Sequence, residues 1–144
     1  MITVIAEAGI NHCGRLGDAL QLVDAAVAAG ADVVKFQIYH TDKLMRDVPN
    51  RELLKSCELT PYQHEDVKEY CDVLGIAWLV SCFDLEAVDV ALALGATEIK
   101  VGSGELVNHD LIAYIAARGA DLLLSTGMAT LDEVFRAVGA FKTA

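Results

Sequence analysis

Two lysines sit in stretches where a lysine is costly. Lys35 lies in the apolar run Asp32 to Gln37 (DVVKFQ) and Lys100 in Glu98 to Val101 (EIKV). The two-residue period of a strand places Lys35 and Gln37 on one face and Val34 and Phe36 on the other. A buried ammonium must be matched by a carboxylate or a phosphate, or be deprotonated for Schiff-base chemistry; a structural pair with Glu7 is the plainest match. Lys100 is followed by Gly102-Ser103-Gly104-Glu105. Glycines flanking a serine let backbone N–H groups approach an anion, and the alternative is a tight strand-to-helix turn. Ser81 and Ser125 close two further apolar runs, and the Ser125 hydroxyl either donates to a phosphate or serves the following helix as a cap. The segment Ala6-Glu7-Ala8-Gly9-Ile10-Asn11-His12 sets a carboxylate inside a strand, with an amide and an imidazole just beyond it. A single histidine with no second at ligand spacing reads as hydrogen-bonded and structural more readily than as an acid-base group. His40, His64 and His109 are scattered over loops and helix starts and are given no role.

Five strands are expected to position these groups: Thr3 to Ala8, Asp32 to Gln37, Ile76 to Ser81, Glu98 to Val101 and Asp121 to Ser125. Between them apolar residues recur at helical spacing, as in Leu20, Val23, Ala26 and Val27, or Val67, Tyr70, Cys71 and Leu74. Gly30, Gly75, Gly95, Gly119 and Gly139 mark the helix ends, Thr60-Pro61 starts one helix, and Thr130 caps another beginning near Leu131. One long connection, Ile38 to Thr60 with Pro49 and Asn50 inside it, interrupts the rhythm and follows a strand, on the side where α/β folds keep ligands. The class is α/β, a parallel sheet with right-handed crossovers. Polar groups at the ends of successive strands favour a (β/α)8 barrel of the TIM type over an open doubly wound sheet, with about five βα units in residues 1–144 as a single partial domain.

With 144 residues, 54% of them hydrophobic and 22% charged, the composition is that of a soluble globular domain. A formal charge of −10 repels phosphate backbones and anionic membrane surfaces, so neither nucleic acid nor lipid is an expected partner. No apolar run spans a bilayer and the first residues lack a basic leader, which reads as cytoplasmic. Cys13, Cys57, Cys71 and Cys82 form no C-x-x-C pair and are expected as reduced thiols.

Four segments in order, AEAGINHCG, AGADVVKFQ, IKVGSGE and LLLSTGMATLDEV, resemble the N-terminal half of the sialic acid synthase family, which makes N-acetylneuraminate and related nonulosonates from phosphoenolpyruvate. The resemblance implies a (β/α)8 barrel in which C3 of phosphoenolpyruvate attacks the aldehyde of open-chain N-acetylmannosamine or a related N-acylated amino sugar, after which water adds at C2 and phosphate leaves. Motif by motif, it assigns Lys35, Ser81, Lys100, Ser103 and Ser125 to the phosphoenolpyruvate site. Glu7 and Gln37 fall to the sugar or the reacting centre, and Asn11, His12 and Glu105 belong to the same signatures without a settled role. It also implies a homo-oligomer and a divalent metal, Mn or Mg, held by two histidines of later strands.

Those histidines, the C-terminal barrel half and the family's antifreeze-like domain are absent from this sequence, so the metal ligands are expected outside the chain. Ser81-Cys82-Phe83-Asp84 stands where the family usually has Thr-Pro-Phe-Asp. A half barrel leaves two strand edges open, so self-association and a chain inactive on its own are expected. A non-catalytic half-barrel binding or assembly module is the competing reading. A Schiff-base aldolase using Lys35 or Lys100 is another, and it would require a strongly depressed lysine pKa.

Overall fold

The computed structural model describes residues 2–44 and 50–144. Strand and helix alternate along the chain. The elements are β1 (Ile5–Gly9), α1 (Leu16–Ala28), β2 (Val33–Ile38), α2 (Thr41–Leu44), α3 (Arg51–Ser56), α4 (Pro61–Leu74), β3 (Ala77–Cys82) and α5 (Leu85–Ala93). There follow β4 (Glu98–Val101), a 3-10 turn (Ser103–Glu105), α6 (His109–Ala117), β5 (Asp121–Leu124) and α7 (Leu131–Thr143). The strands run in the order β1-β2-β3-β4-β5, with parallel ladders between β1 and β2, β3 and β4, and β4 and β5. This is the parallel α/β plan read from the sequence.

Two compact units divide the chain, Met1–Val80 and Ser81–Ala144. In the first, Ala19 and Val23 of α1 and Val67 and Cys71 of α4 are wholly buried, as are Val34 and Phe36 of β2. Each large apolar side chain buried in this way contributes about 1.5–3 kcal/mol. Thr60 and Gln63 form a reciprocal capping box that starts α4 at Pro61, and Gly75 ends it in the left-handed region at φ 72°. In the second unit, Leu106, Ile112 and Ala137 form a buried cluster against which Leu122, Leu124, Val134 and Phe141 pack. A second capping box, Thr130 with Glu133, starts α7.

Four expectations shift. β1 begins at Ile5 rather than Thr3, because Val4 is spent on Asp32: its N–H donates to the Asp32 carboxylate at 2.7 Å and its carbonyl accepts from Asp32 N–H at 2.9 Å. β2 and β3 each start one residue later than expected and run on to Ile38 and Cys82, whereas β5 stops at Leu124. Gly139 does not end its helix; α7 passes through it to Thr143, since packing of Ala137 and Phe141 outweighs the roughly 1 kcal/mol that glycine costs a helix interior. The 38–60 connection is not a bare loop. It holds α2 and α3, pinned together by Asp42 with Arg51 and Lys55, and by Tyr39, whose hydroxyl donates to the Leu54 carbonyl at 2.8 Å; Pro49 lies outside the described residues.

Candidate active site

In the first unit, β1 and β2 run side by side with Glu7 opposite Lys35 in the ladder. The register then slips, so that Gly9 rather than Ala8 stands opposite Phe36. Such a bulge re-aims the side chains around it. Lys35 is 8% exposed, and its ammonium meets a Glu7 carboxylate oxygen at 2.5 Å. The structural pairing is therefore formed, and it removes much of the desolvation cost of the buried cation. Gly9 makes room for the group: a methyl there would lie 3.3 Å from the Glu7 carboxylate and 3.7 Å from the Gln37 amide nitrogen. Glu7, Lys35 and Gln37 thus gather around Gly9, a residue the sequence reading left without a role. A glycine inside a strand run was the available signal.

Asn11 and His12 help build the loop after β1. Asn11 donates to the Ala8 carbonyl at 2.9 Å through its side-chain amide. His12 is buried, and its Nδ1 accepts from Gly14 N–H at 3.1 Å, with burial pushing its pKa below the ordinary value. Its ring lies 6.0 Å from that of Phe36. His64 on α4 is buried as well, and burial first, then the nearby His12, push its pKa down to about 4. Burial favours the neutral form of both imidazoles. The loop is tight: a methyl on Gly14 would fall 2.1 Å from the Ser56 carbonyl oxygen.

The second unit holds the other group. Ser81, 4% exposed, stands opposite Lys100 in the β3–β4 ladder. The Lys100 ammonium donates to the Ser125 hydroxyl at 2.6 Å and to the Val101 carbonyl at 2.8 Å. Ser125 is held in turn, its N–H donating to the same Val101 carbonyl at 3.0 Å. Ser103 opens the 3-10 turn after β4, and a methyl on Gly127 would come within 3.4 Å of its hydroxyl. Ser103 and Gly127 also line a small cavity of about 90 Å³ with Met128 and Glu133. The structure brings Ser81, Lys100 and Ser125 together, with Ser103 packed on Gly127. Glu105 is drawn elsewhere: its carboxylate accepts from the Asn108 amide at 2.9 Å, and Asn108 caps α6 through Leu111 N–H.

The order and spacing of these groups can be set beside known proteins. The NeuB family model matches residues 22–144. The chain belongs to the NeuB family. It is 35% identical over 154 aligned residues to the N,N'-diacetyllegionaminic acid synthase of Legionella pneumophila, covering 96% of this chain and 43% of that protein. It is 29% identical to human N-acetylneuraminate-9-phosphate synthase, covering 90% of this chain and 40% of that one. The crystal structure of the N-acetylneuraminic acid synthetase of Leptospira borgpetersenii in complex with citrate superposes with a TM-score of 0.89 at 31% identity, covering 99% of this chain and 51% of that one. A truncated 3-deoxy-D-arabino-heptulosonate 7-phosphate synthase of Thermotoga maritima, at 15% identity and a TM-score of 0.72, shares the fold. The strand order and these neighbours make this NeuB chain a partial (β/α) barrel of the TIM type. It spans 40–46% of the length of the curated relatives it matches. No described helix is long and apolar enough to cross a membrane.

Proposed function

We propose that this NeuB chain carries the phosphoenolpyruvate-binding part of a nonulosonate synthase, the enzyme condensing phosphoenolpyruvate with an N-acylated amino-sugar aldehyde such as N-acetylmannosamine. The observation that carries the reading is the Lys100–Ser125 hydrogen bond at 2.6 Å, with Ser81 opposite Lys100 on the next strand. The Lys100 ammonium donates to a carbonyl and to a hydroxyl, and an anionic oxygen is a stronger acceptor than either. In this reading Lys35, Ser81, Lys100, Ser103 and Ser125 bind the phosphate and carboxylate of phosphoenolpyruvate. The relatives' names, legionaminic acid synthase and N-acetylneuraminate-9-phosphate synthase, support the product class.

Glu7 and Gln37 are assigned to the sugar or the reacting centre. The Glu7 side chain is 53% exposed while bonded to Lys35, so a carboxylate oxygen is open to a hydroxyl or a proton on the sugar. The new C–C bond forms from C3 of phosphoenolpyruvate to the aldehyde carbon; water adds at C2 and the bond to phosphate breaks. A divalent Mn or Mg would polarise the aldehyde. Among the described residues neither unit by itself gathers three metal-ligating side chains. The assembled enzyme is taken to be a cytoplasmic homo-oligomer.

A second reading is a binding or assembly module without turnover of its own. Calorimetric titration of phosphoenolpyruvate into the chain, with a phosphate-release assay on phosphoenolpyruvate and N-acetylmannosamine, tests both. Binding without turnover is the expected result for the chain alone. Lys100→Met should weaken binding about ten-fold or more through loss of a charge-assisted contact. Lys68→Met removes only the pair with Asp72 on α4 and should leave binding unchanged. Equal behaviour of the two variants would remove the phosphoenolpyruvate assignment.

A further inference from the structure

The β1–β2 ladder skips one residue, and the following loop holds that residue in place. Ala6 stands against Val34 and Glu7 against Lys35, and the register then passes to Gly9 against Phe36, which leaves Ala8 without a counterpart. A bulge puts its extra residue outside the pairing, so its backbone must be fixed by other donors. Asn11 supplies two of them. Its side-chain amide donates to the Ala8 carbonyl at 2.9 Å and its backbone N–H donates to the same oxygen at 3.1 Å. The turn so closed sets Gly9 at a φ of 57°, which a residue with a side chain adopts only at a cost. His12 ties the same loop to the other strand: its buried ring lies 6.0 Å from that of Phe36, and its Nδ1 accepts from Gly14 N–H at 3.1 Å. Phe36 is the residue between Lys35 and Gln37.

We propose that Asn11 is a positioning residue: its side-chain amide locks the bulge at Ala8 and so fixes Gly9, around which Glu7, Lys35 and Gln37 gather. Clearance at Gly9 is narrow, since a methyl there would lie 3.3 Å from the Glu7 carboxylate and 3.7 Å from the Gln37 amide nitrogen. A shift of this backbone therefore passes to both side chains. Lys35 follows through its ion pair with Glu7. Asn11 is exposed and acts through the backbone rather than by touching a ligand. What the role requires is a hydrogen to donate, not a particular shape. Aspartate has the shape of asparagine but its carboxylate has no hydrogen for a carbonyl, whereas a serine hydroxyl reaches a carbonyl three residues back, as Ser56 does with Leu53 at 2.8 Å. The functional consequence rests on the phosphoenolpyruvate reading, because Lys35 is assigned to that ligand; the structural consequence does not.

The test titrates phosphoenolpyruvate calorimetrically into the 144-residue chain and its Asn11→Asp, Asn11→Ser and Arg15→Ala variants, and records an amide NMR spectrum of each. Asn11→Asp should weaken binding about five-fold, through loss of one hydrogen bond's worth of positioning. It should also move the backbone amide resonances of Ala8, Gly9 and Phe36 and the side-chain amide resonances of Gln37. Asn11→Ser should restore both readouts, since it returns a donor to the Ala8 carbonyl. Arg15→Ala, which removes the exposed pair with Asp18 from the same loop, should leave both unchanged. If Asn11→Asp does not fold, Asn11→Ala serves as the variant without a donor. Unmoved resonances in the variant without a donor overturn the proposal, as do equal losses in Asn11→Asp and Asn11→Ser. An unchanged affinity in that variant, where the parent does bind, overturns it too. A parent that binds no phosphoenolpyruvate removes the phosphoenolpyruvate assignment instead, and the resonances alone then decide the role of Asn11.

Discussion

Glu7 and Lys35 face each other across the β1–β2 ladder with an asymmetric ion pair: the lysine side chain is 10% exposed and the glutamate 53%. The cation is committed to the interior and the anion is half in solvent. Such a pair is worth most as a way of keeping a charge where a ligand can reach it, because its net stabilisation is reduced by the desolvation of the lysine.

Breaking it from the carboxylate side should therefore be costly. Glu7→Gln is expected to lower stability by about 1–3 kcal/mol, since the buried ammonium loses its anionic neighbour. The double variant Glu7→Gln with Lys35→Met should recover part of that loss. Urea unfolding midpoints of the three variants and the parent decide it, and a double variant less stable than Glu7→Gln alone would contradict this account.

Gly14 and Gly17 should respond oppositely to alanine. Gly14→Ala places a methyl 2.1 Å from the Ser56 carbonyl at a φ of +74°, so it should destabilise by several kcal/mol or prevent folding. Gly17 lies inside α1 with nothing within 4 Å of an added methyl, and Gly17→Ala should raise stability by about 0.5–1 kcal/mol. Thermal unfolding of both variants is the check.

His64 makes stability depend on acid. Its folded pKa is depressed to about 4 against an ordinary 6.5, so the unfolded chain takes up the proton first. Above pH 6.5 the contribution is fully present, and it is lost as pH falls through 4. The window is worth roughly 3 kcal/mol at 1.36 kcal/mol per pH unit. Unfolding free energy measured from pH 7.5 to 4 should show this slope, and His64→Leu should flatten it.

The cysteines should separate by exposure. Cys13 is exposed, while Cys57, Cys71 and Cys82 are buried. Burial pushes the Cys71 thiol up to about 11 and the Cys82 thiol higher still. One thiol per chain should react rapidly with an aromatic disulfide reagent under native conditions, and Cys13→Ser should abolish that phase. All four should react in denaturant.

The sequence by itself determined the alternation of five strands and their helices, the starts of α4 and α7 at Thr60 and Thr130, and the turns at Gly30, Gly75 and Gly119. These are local matters: a two-residue or helical apolar period, a hydroxyl that reaches an N–H three residues on, a left-handed φ that glycine alone adopts cheaply. The four motif segments also carried the family, because their order survives without any coordinates. Only the tertiary structure decided which groups meet. Lys100 finds Ser125 across 25 residues, Lys35 finds Glu7 because the β1–β2 register sets them opposite each other before it slips ahead of Gly9, Glu105 is taken by the Asn108 cap, and His64 disappears into the interior. Strand residues alternate faces whatever the register, so the sequence gives each side chain a face but not a partner. The partner follows from how one strand is shifted against the next, and that shift is set by packing between elements far apart in the chain.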